Sequence, residues 1–565
     1  MTRVETELPL ALPHRERCGT AQGFGGSTRA KWRWAVLVLV HIAVIAHIAH
    51  WKIAGTTLTP LEPSEAGETL ELGLVNAGFL LFVGALLLTL VVGRFFCGWA
   101  CHVVAYQDAA AWLLAKLKLK PRPIRSRLLM LVPAYAAIDM FVLPTVGRWL
   151  AGRPAPELAW HLTTNDLWER FPGPGMALLT LFVDGALIVW WLGAKAFCTY
   201  GCPYGALFGL VDRAAPGRIR VTDACEGCGH CTAVCTSNVR VHEEVARFGQ
   251  VVDSGCMKCM DCVSACPKDA LFFGFQPRLT RAVAAPLAAR VAPPRRWDFS
   301  WPEEIALGLA FAGALFAFRG LYGAIPFLLA IGLAVIVALG CVLGARTLRL
   351  PTLRFQHWSW KRDARLTRGG AVGLSACAAA VLFTAHSGWV NGSEKVGTRA
   401  LEAAARLPRA SAERGAGLER AVEHLHRARA AGLFENATLL NKLGQVEFEL
   451  GRRAEAEAHL RRTCELEPEW ESAHVALASL MIASGRTSEA VELLLGLLGR
   501  QASAQSERLV ATALAREEVS AERIEQFGRS ASRERAIAVL EQALRLRPEL
   551  DSARSALTRL AGAAD

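Results

Sequence analysis

The sequence predicts a mainly α-helical, polytopic membrane protein with a small cysteine-rich α+β domain inserted in it and an α-helical solenoid at its C-terminus. Three observations support this prediction. Seven apolar runs are about long enough to cross a bilayer as helices. Twelve of the 16 cysteines lie between residues 97 and 266, and a 34-residue pattern recurs near the C-terminus. The predicted domains are an N-terminal tail (1–33), a four-helix membrane core (34–202), the cysteine-rich domain (203–300), three further transmembrane helices (301–390) and the helical repeats (391–565).

The seven apolar runs are predicted to be transmembrane helices, because spanning a bilayer takes about 20 mostly apolar residues. The first 33 residues are polar and contain no apolar stretch that a signal peptidase could use. The first run is therefore expected to be an uncleaved membrane anchor. The predicted spans are 34–53, 72–92, 128–147, 174–193, 303–319, 321–343 and 370–389.

The net charge of +12 is confined to the apolar part of the chain. From residue 393 onward, 25 Lys and Arg face 26 Asp and Glu, so the whole excess lies before that point. Such an excess between apolar runs is typical of cytoplasmic membrane loops, so no nucleic-acid partner is expected. The basic segments 29–33, 94–127 and 346–368 share one side when the first six spans are counted. This predicts a protein of the bacterial inner membrane with its N-terminus and clustered cysteines in the cytoplasm. A seventh span would place the repeats in the periplasm.

A block of eight cysteines repeats the spacing C-x2-C-x2-C-x3-C, and Pro267 follows the second copy. This is the spacing of bacterial two-cluster ferredoxins, in which the fourth cysteine of each run ligates the other cluster. Two zinc ribbons would instead need two C-x2-C pairs for each metal. The spacing therefore predicts two [4Fe–4S] clusters and a one-electron relay. One cluster is assigned to Cys225, Cys228, Cys231 and Cys266, and the other to Cys256, Cys259, Cys262 and Cys235.

Two further cysteine pairs have the form Phe-Cys-x-aromatic-small-Cys. Cys97 and Cys101 follow the second apolar run, and Cys198 and Cys202 follow the fourth, so an internal duplication of a two-helix unit is indicated. On a continuing helix, the i, i+4 spacing would place both sulfurs of a pair on one face. At the cytoplasmic surface these thiols would stay reduced. They could together bind a metal or a cluster, act as redox dithiols, or simply pack.

The order of these motifs resembles that of a known family. Two apolar runs, FCGWAC, two apolar runs, FCTYGCP and a double cysteine run are similar to the NapH-type membrane ferredoxins and the related polyferredoxins NosR and CcoG, over about residues 30–275. The resemblance implies electron transfer between the quinone pool or a cytoplasmic donor and a partner enzyme, or metal reduction during oxidase assembly. His102 departs from the family pattern, which has Pro there. It either alters the loop alone or adds an imidazole ligand.

Two carboxylates lie inside predicted spans, Asp139 in the third and Asp184 in the fourth. Such residues are costly in a membrane and are a functional hypothesis by default. We expect either that one or both carry protons coupled to quinol chemistry, or that they make hydrogen bonds between helices.

The C-terminal part resembles tetratricopeptide repeats, which are built from paired helices with small residues where the helices approach closely. Units at 437–470 and 471–504 predict a protein-binding module, and the alternative is a generic array of helical hairpins. Residues in register 34 positions apart are Gly451 with Gly485, Ala456 with Ala490, and Leu460 with Leu494.

These features predict a membrane-bound iron–sulfur protein that passes electrons between the quinone pool or a cytoplasmic donor and a partner redox complex. It would be either a carrier or a quinol-dehydrogenase-like component, and no catalytic residue is assigned. The predicted cofactors are two [4Fe–4S] clusters, with a further metal or cluster at the CxxxC pairs and a quinone as additional candidates. The predicted partners are the membrane, a redox protein and a protein that docks on the repeats. The alternatives are a copper reductase or assembly factor for a respiratory oxidase, and a non-redox scaffold that recruits partners through the repeats.

Overall fold

The computed structural model describes residues 28–119, 121–168, 171–275, 297–500, 504–516 and 518–562. The prediction of a mainly helical protein is confirmed, since about 69% of the chain is helical. The chain divides into two compact units. The first comprises Met1–Arg319 and Ile325–Thr384, and the second comprises Gly320–Ala324 and Ala385–Asp565.

The first unit contains both long apolar helices and short connecting ones. Its helices are α1 (Thr28–Ala54), α2 (Ala66–Leu72), α3 (Ala77–Val92), α4 (Phe95–Trp99), α5 (His102–Lys116), α6 (Leu129–Leu150), α7 (Pro174–Leu192), α8 (Ala196–Tyr200), α9 (Pro203–Asp212), α10 (His230–Ala233), α11 (Val241–Phe248), α12 (Asp261–Ser264), α13 (Trp301–Phe318), α14 (Phe327–Arg349) and α15 (Arg368–Ala405). A short 3₁₀ turn at Pro63–Glu65 precedes α2.

Six of the helices in the described part of the chain are long and apolar enough to cross a membrane: α1, α6, α7, α13, α14 and α15. The second predicted span, 72–92, is a shorter apolar helix, α3, of 16 residues. It begins later than its hydropathy indicates because Asn76 caps it, accepting a hydrogen bond from the Phe79 amide at 2.8 Å. Residue 72 instead ends α2, where Gly73 adopts a left-handed conformation.

Helices α6 and α7 each contain a π-helical segment, at Ile138–Val142 and Leu181–Leu187. Single π turns inside α-helices are rare and often occur at functional sites. The two segments contain Asp139 and Asp184, the carboxylates that the sequence places inside predicted spans.

Four small sheets accompany the helices of the first unit. The cysteine-rich domain contains an antiparallel pair, in which Gly217 lies opposite Phe275 and Val221 opposite Leu271. Ile219 and Val251 are fully buried beside these strands, so the domain has its own apolar core. The strands are β1 (Thr57–Leu58), β2 (Leu74–Val75), β3 (Ala159–Trp160), β4 (Thr163–Thr164), β5 (Gly217–Val221), β6 (Leu271–Phe275), β7 (Leu353–Phe355), β8 (Trp358–Arg362) and β9 (Arg365–Leu366), paired as β1–β4, β2–β3, β5–β6 and β7–β8–β9.

The second unit begins with the C-terminal part of α15, from Ala385, and continues as a series of shorter helices. A Cβ on Gly444 would lie 2.6 Å from Leu460 Cγ, so a small residue is needed where two successive helices approach. Four helices coincide with the two predicted 34-residue units, and their tetratricopeptide character stays a prediction. The helices are α16 (Ala412–Ala431), α17 (Ala437–Glu449), α18 (Arg453–Leu466), α19 (Glu471–Ala483), α20 (Thr487–Arg500), α21 (Ala504–Ala515), α22 (Ala521–Ser530), α23 (Arg533–Leu546) and α24 (Asp551–Ala561), with a short 3₁₀ turn at Leu321–Gly323.

Candidate functional site

The first CxxxC pair lies where the chain turns from α3 into α5. Helix α3 ends at Gly93, which has φ 77°, and the short helix α4 then carries Cys97. Cys101 follows that helix in an extended conformation and is the N-cap of α5. The pair therefore does not lie on one continuing helix, as the spacing alone would allow, because the backbone leaves the helix after Trp99.

The second CxxxC pair repeats this arrangement. Helix α7 ends at Gly193, which has φ 99°, α8 carries Cys198, and Cys202 is the N-cap of α9. In both motifs the amide of the second cysteine donates to a Phe carbonyl five residues earlier, at 3.2 Å for Cys101 and 2.9 Å for Cys202. The sequence duplication is thus also a duplication of local structure.

The structure brings the four CxxxC cysteines into one group, in which Cys97 and Cys198 are buried and Cys101 and Cys202 are half-buried. Burial, with the neighbouring Cys198 and Cys97 thiols, raises the pKa of Cys101 to about 12. Burial also raises the pKa of Cys198 to about 11, although Gln107 donates a hydrogen bond to its sulfur at 3.1 Å. Cys202 is near the other three, and burial raises its pKa as well. We call these four residues the CxxxC group.

A buried arginine lies beside the CxxxC group. Arg94 is 5% exposed, and its guanidinium donates to the Ser254 carbonyl at 2.8 Å. Burial acts to lower its pKa, but the nearby Cys97, Cys198 and Cys202 outweigh burial, and the pKa of Arg94 is raised. A fixed cation at this position stabilises negative charge on the sulfurs.

The eight ferredoxin-type cysteines form two further groups. Burial, with the Cys228 and Cys225 thiols, raises the pKa of Cys231 to about 12, and Cys266 is another of its neighbours. Cys266 therefore lies near the cysteines of the first run in space, although it ends the second run in the sequence. The Cys266 sulfur accepts a hydrogen bond from the Ala270 amide at 3.3 Å. We call Cys225, Cys228, Cys231 and Cys266 the distal group.

The second ferredoxin-type group is more deeply buried. Burial, with the Cys259 and Cys256 thiols, raises the pKa of Cys235, a residue of the first run. The neighbours of Cys262 include these three cysteines, and also Cys231 of the distal group. An exchange of the fourth cysteine between the runs is what a two-cluster ferredoxin requires, whereas two zinc ribbons would each need two C-x2-C pairs. We call Cys235, Cys256, Cys259 and Cys262 the proximal group.

The loop that carries the proximal group lies directly on the first CxxxC segment. A Cβ on Gly98 would lie 2.2 Å from the Met257 carbonyl oxygen, so the two backbones are in contact. The Trp99 indole donates to the Lys258 carbonyl at 3.0 Å. Lys258 is itself buried and pairs with Asp212 at 2.9 Å. These contacts hold the proximal group next to the CxxxC group.

The donor sets fit iron–sulfur clusters. Each group supplies four cysteines, and in a cubane each thiolate binds a different iron. Within the described ranges, no three His, Cys, Asp or Glu side chains are arranged to hold a single metal ion. Buried thiols with a raised pKa stay protonated unless a cation compensates their charge, so cluster binding would release their protons.

The two carboxylates of the π-helical segments have different surroundings. Asp139 makes a bidentate ion pair with Arg319, with both N···O distances at 2.7 Å. Asp184 is 5% exposed, and neither of its carboxylate oxygens has a hydrogen-bond partner among the residues that the structure describes. Its Oδ1 lies 1.9 Å from the position of a Cβ on Gly332, so only glycine leaves room for it.

His102, which stands where the family pattern has Pro, faces a carboxylate. Its Nε2 lies 3.2 Å from Glu62 Oε1. This nitrogen is therefore engaged by the Glu62 carboxylate.

The sequence interpretation missed four buried charges at the junction of the CxxxC and proximal groups. Arg33 and Asp108 form a buried ion pair, and Arg33 also lies 3.6 Å from Asp261. Lys195 is fully buried and lies 3.8 Å from Asp108. Arg33 belongs to a basic segment that the charge pattern assigns to the cytoplasm, and Lys195 lies outside the three basic segments. The local signal in the sequence was Lys195 itself, a basic residue three positions before Cys198 of the second CxxxC motif.

Two protein-family models match the regions that contain these cysteines. A 4Fe-4S binding domain model matches residues 76–121 and 174–222, which contain both CxxxC pairs. A 4Fe-4S dicluster domain model matches residues 224–271. No solved structure matches the chain.

Three of the relatives that match the chain illustrate the low identity and the partial coverage. YccM of Escherichia coli (strain K12) is 26% identical over 200 residues, which are 34% of this chain and only 54% of that protein. Ferredoxin-type protein NapH of Haemophilus influenzae is 26% identical over 209 residues, 34% of this chain and 68% of the relative. Methylamine utilization ferredoxin-type protein MauN of Paracoccus denitrificans is 28% identical over 253 residues, 40% and 82% of the two chains. The chain therefore contains 4Fe–4S ferredoxin-type domains and is a distant homologue of proteins named NapH, MauN and YccM.

Proposed function

We propose that the protein is a membrane-bound electron carrier in which three [4Fe–4S] clusters form a relay. The observation that carries the proposal is the contact between Gly98 and Met257, which joins the CxxxC group to the proximal group. Cys262 of the proximal group is in turn near Cys231 of the distal group, so the three groups follow one another in space. Each cluster would exchange one electron at a time, and no substrate pocket is required.

Each group has a distinct place in this relay. The CxxxC group would exchange electrons with a donor or acceptor in the membrane, because its two segments follow the apolar helices α3 and α7. The proximal group would pass electrons within the protein. The distal group would serve a redox partner in solution, because Asp223 and Glu226 are exposed beside Cys225.

The proposed location is a bacterial inner membrane. Six helices of sufficient length and apolarity support membrane insertion, and the basic segments between them support a cytoplasmic ferredoxin domain. The repeats would lie in the periplasm and dock a protein partner. A reporter fused after Asp565 tests this topology, and activity in the cytoplasm would contradict it.

Cluster content tests the relay itself. We expect about 12 iron atoms per chain in the purified full-length protein, which is four for each of three clusters. The double variant Cys97→Ser/Cys198→Ser should retain about eight. Cys464→Ser is the matched control, because Cys464 belongs to the second unit and to none of the three groups.

One outcome of the iron determination would contradict the proposal, and two further measurements on the same preparation would favour the alternatives. A wild-type content of about eight irons, unchanged in the double variant, would mean that the CxxxC thiols hold no cluster. Clusters that reductants cannot reduce would favour the scaffold alternative. Reduction of Cu(II) by the same preparation, abolished by Cys97→Ser/Cys198→Ser, would favour the copper-reductase alternative.

A quinol-linked activity is a second candidate function, and Asp184 is the observation that favours it. A buried carboxylate with no hydrogen-bond partner among the described residues, held in a π-helical segment of an apolar helix, is a candidate proton carrier. We expect Asp184→Asn to slow cluster reduction by quinol while leaving reduction by dithionite unchanged. Asp139→Asn is the control, because Asp139 is already paired with Arg319. Equal quinol rates in wild type and both variants would remove Asp184 from the mechanism.

A further inference from the structure

Lys195 occupies an unusual position for a lysine. It lies between α7 and α8 with φ 56°, a left-handed conformation that is uncommon for a residue other than glycine. Its side chain is 0% exposed, and its ammonium has no hydrogen-bond partner in the described part of the chain. A buried lysine is almost always closely paired with a carboxylate, and here the ion pair with Asp108, at 3.8 Å, is too long to be a hydrogen bond.

The surroundings of Lys195 show which group its charge faces. Asp108, 3.8 Å away, already accepts a hydrogen bond from Arg33, so it is shared between two cations. Arg33 also approaches Asp261, the first residue of the helix that carries Cys262. The charges therefore lie at the junction of the membrane helices and the proximal group.

Lys195 also acts on a proximal cysteine. Lys195 and Arg33 both act electrostatically on Cys259 in the direction that favours its thiolate, and Lys195 acts in the same way on Cys198 of the CxxxC group. With Asp108 3.8 Å from Lys195 and Asp261 3.6 Å from Arg33, the buried ammonium lies at the junction of the two groups, where it would stabilise negative charge on the proximal cluster. The main influences on the pKa values of the distal cysteines Cys225 and Cys231 are burial, neighbouring thiols, Glu226 and backbone amides, and none of these is a buried cation.

We propose that the buried ammonium of Lys195 raises the reduction potential of the proximal cluster above that of the distal cluster. Lys195 would thereby determine which of the two clusters holds the electron. This inference rests on the proposed presence of clusters in the two groups. A cluster gains one negative charge when it accepts an electron. A cation held in a low-dielectric environment stabilises that charge far more than an exposed one would. The proximal cluster would then hold the electron next to the CxxxC group.

The test is a redox titration of the purified full-length protein, followed by electron paramagnetic resonance. Parallel Cys228→Ser and Cys259→Ser variants identify the signals of the distal and proximal clusters. We expect Lys195→Met to lower the midpoint potential of the proximal cluster by about 59 mV or more, a tenfold change in the ratio of reduced to oxidised cluster at fixed potential. Lys195→Arg keeps the charge and should keep the potential.

Lys268→Met is the matched control for removal of a lysine near a cluster. Lys268 follows Cys266 by two residues, but its side chain is 54% exposed and pairs with Glu226 at 3.0 Å. Solvent screens such a charge, so the distal potential should move by much less. An equal shift in Lys268→Met and Lys195→Met would overturn the argument from burial.

A second variant keeps the proposal testable if Lys195→Met does not load its clusters. Asp108→Asn removes a negative charge beside Lys195, so the proximal potential should shift upward, opposite to the effect of Lys195→Met. An unchanged proximal potential in Asp108→Asn or in a loaded Lys195→Met would overturn the proposal. Wild-type protein without two ferredoxin-type signals would contradict the proposed clusters themselves, which separates the two failures.

Discussion

The contact between Gly98 and Met257 gives the sharpest prediction about how the ferredoxin domain is held. An alanine Cβ at position 98 would lie 2.2 Å from the Met257 carbonyl oxygen. An ordinary carbon–oxygen contact is about 3.3 Å or longer, so the atoms would overlap by about 1 Å. The obstacle is backbone and not a flexible side chain, so the loop that carries the proximal group must move.

The magnitude follows from the general cost of overpacking. Such overlaps cost about 1–3 kcal/mol, which is about a 5- to 150-fold shift in the equilibrium between docked and undocked loop. Alanine also favours the helix over glycine by about 0.8–1.0 kcal/mol. The control variant must therefore have the same gain in helix propensity, from glycine to alanine, without the steric overlap. Gly84→Ala in α3 meets this need, because a Cβ there has nothing within 4 Å.

Amide hydrogen exchange of residues 254–262 measures the docking directly. We expect faster exchange of this loop in Gly98→Ala than in Gly84→Ala, with the distal cysteine loop unaffected. Electron transfer from the CxxxC group to the proximal group should slow in the same variant. Equal exchange rates in the wild type and in both variants would refute the view that the close approach at Gly98 holds the two segments together.

Two further predictions concern the second unit. Gly444→Ala should lower the free energy of unfolding of this unit by about 1–3 kcal/mol, because the new Cβ would lie 2.6 Å from Leu460 Cγ. Gly496→Ala is the control, because a Cβ there meets nothing within 4 Å. Equal melting temperatures of the two variants would contradict the packing argument. Hydrogen bonds from Arg486 lower the pKa of Glu457 below its usual 4.5, so this ion pair stabilises the folded state above that pH and is lost as the pH falls through the lowered value. Arg486→Met should reduce the loss of stability below pH 4.5 in chemical denaturation, and an unchanged acid dependence would show that the exposed pair contributes nothing.

The comparison of the two intramembrane carboxylates shows where sequence reasoning stops. Asp139 and Asp184 both lie near the middle of an apolar run, and hydropathy gives them equal weight. The structure pairs Asp139 with Arg319, 180 residues later, and leaves Asp184 against Gly332. The residues that face these two carboxylates, Arg319 and Gly332, lie far along the chain from them, so no local pattern could distinguish the two.

The beginning of the second apolar helix is a smaller example. The apolar run 72–92 predicts the end of this helix at residue 92, and α3 does end at Val92. Its beginning at residue 77 depends on the Asn76 side chain and on the left-handed Gly73. Capping is set by backbone hydrogen bonds, which a hydropathy average does not contain.

The sequence by itself determined which residues could carry the chemistry, because ligand spacing and apolar length are properties of the chain. The cysteine runs, their resemblance to two-cluster ferredoxins and the apolar helices were all readable before any fold was known. The tertiary structure alone decided that the two CxxxC pairs form one group, and that Gly98 brings this group against the loop of Met257. It alone decided that Lys195 and Arg33 are buried charges at that junction and not cytoplasmic surface cations. The physical reason is that a charge acts through distance and burial, and both are set by segments far apart in the chain.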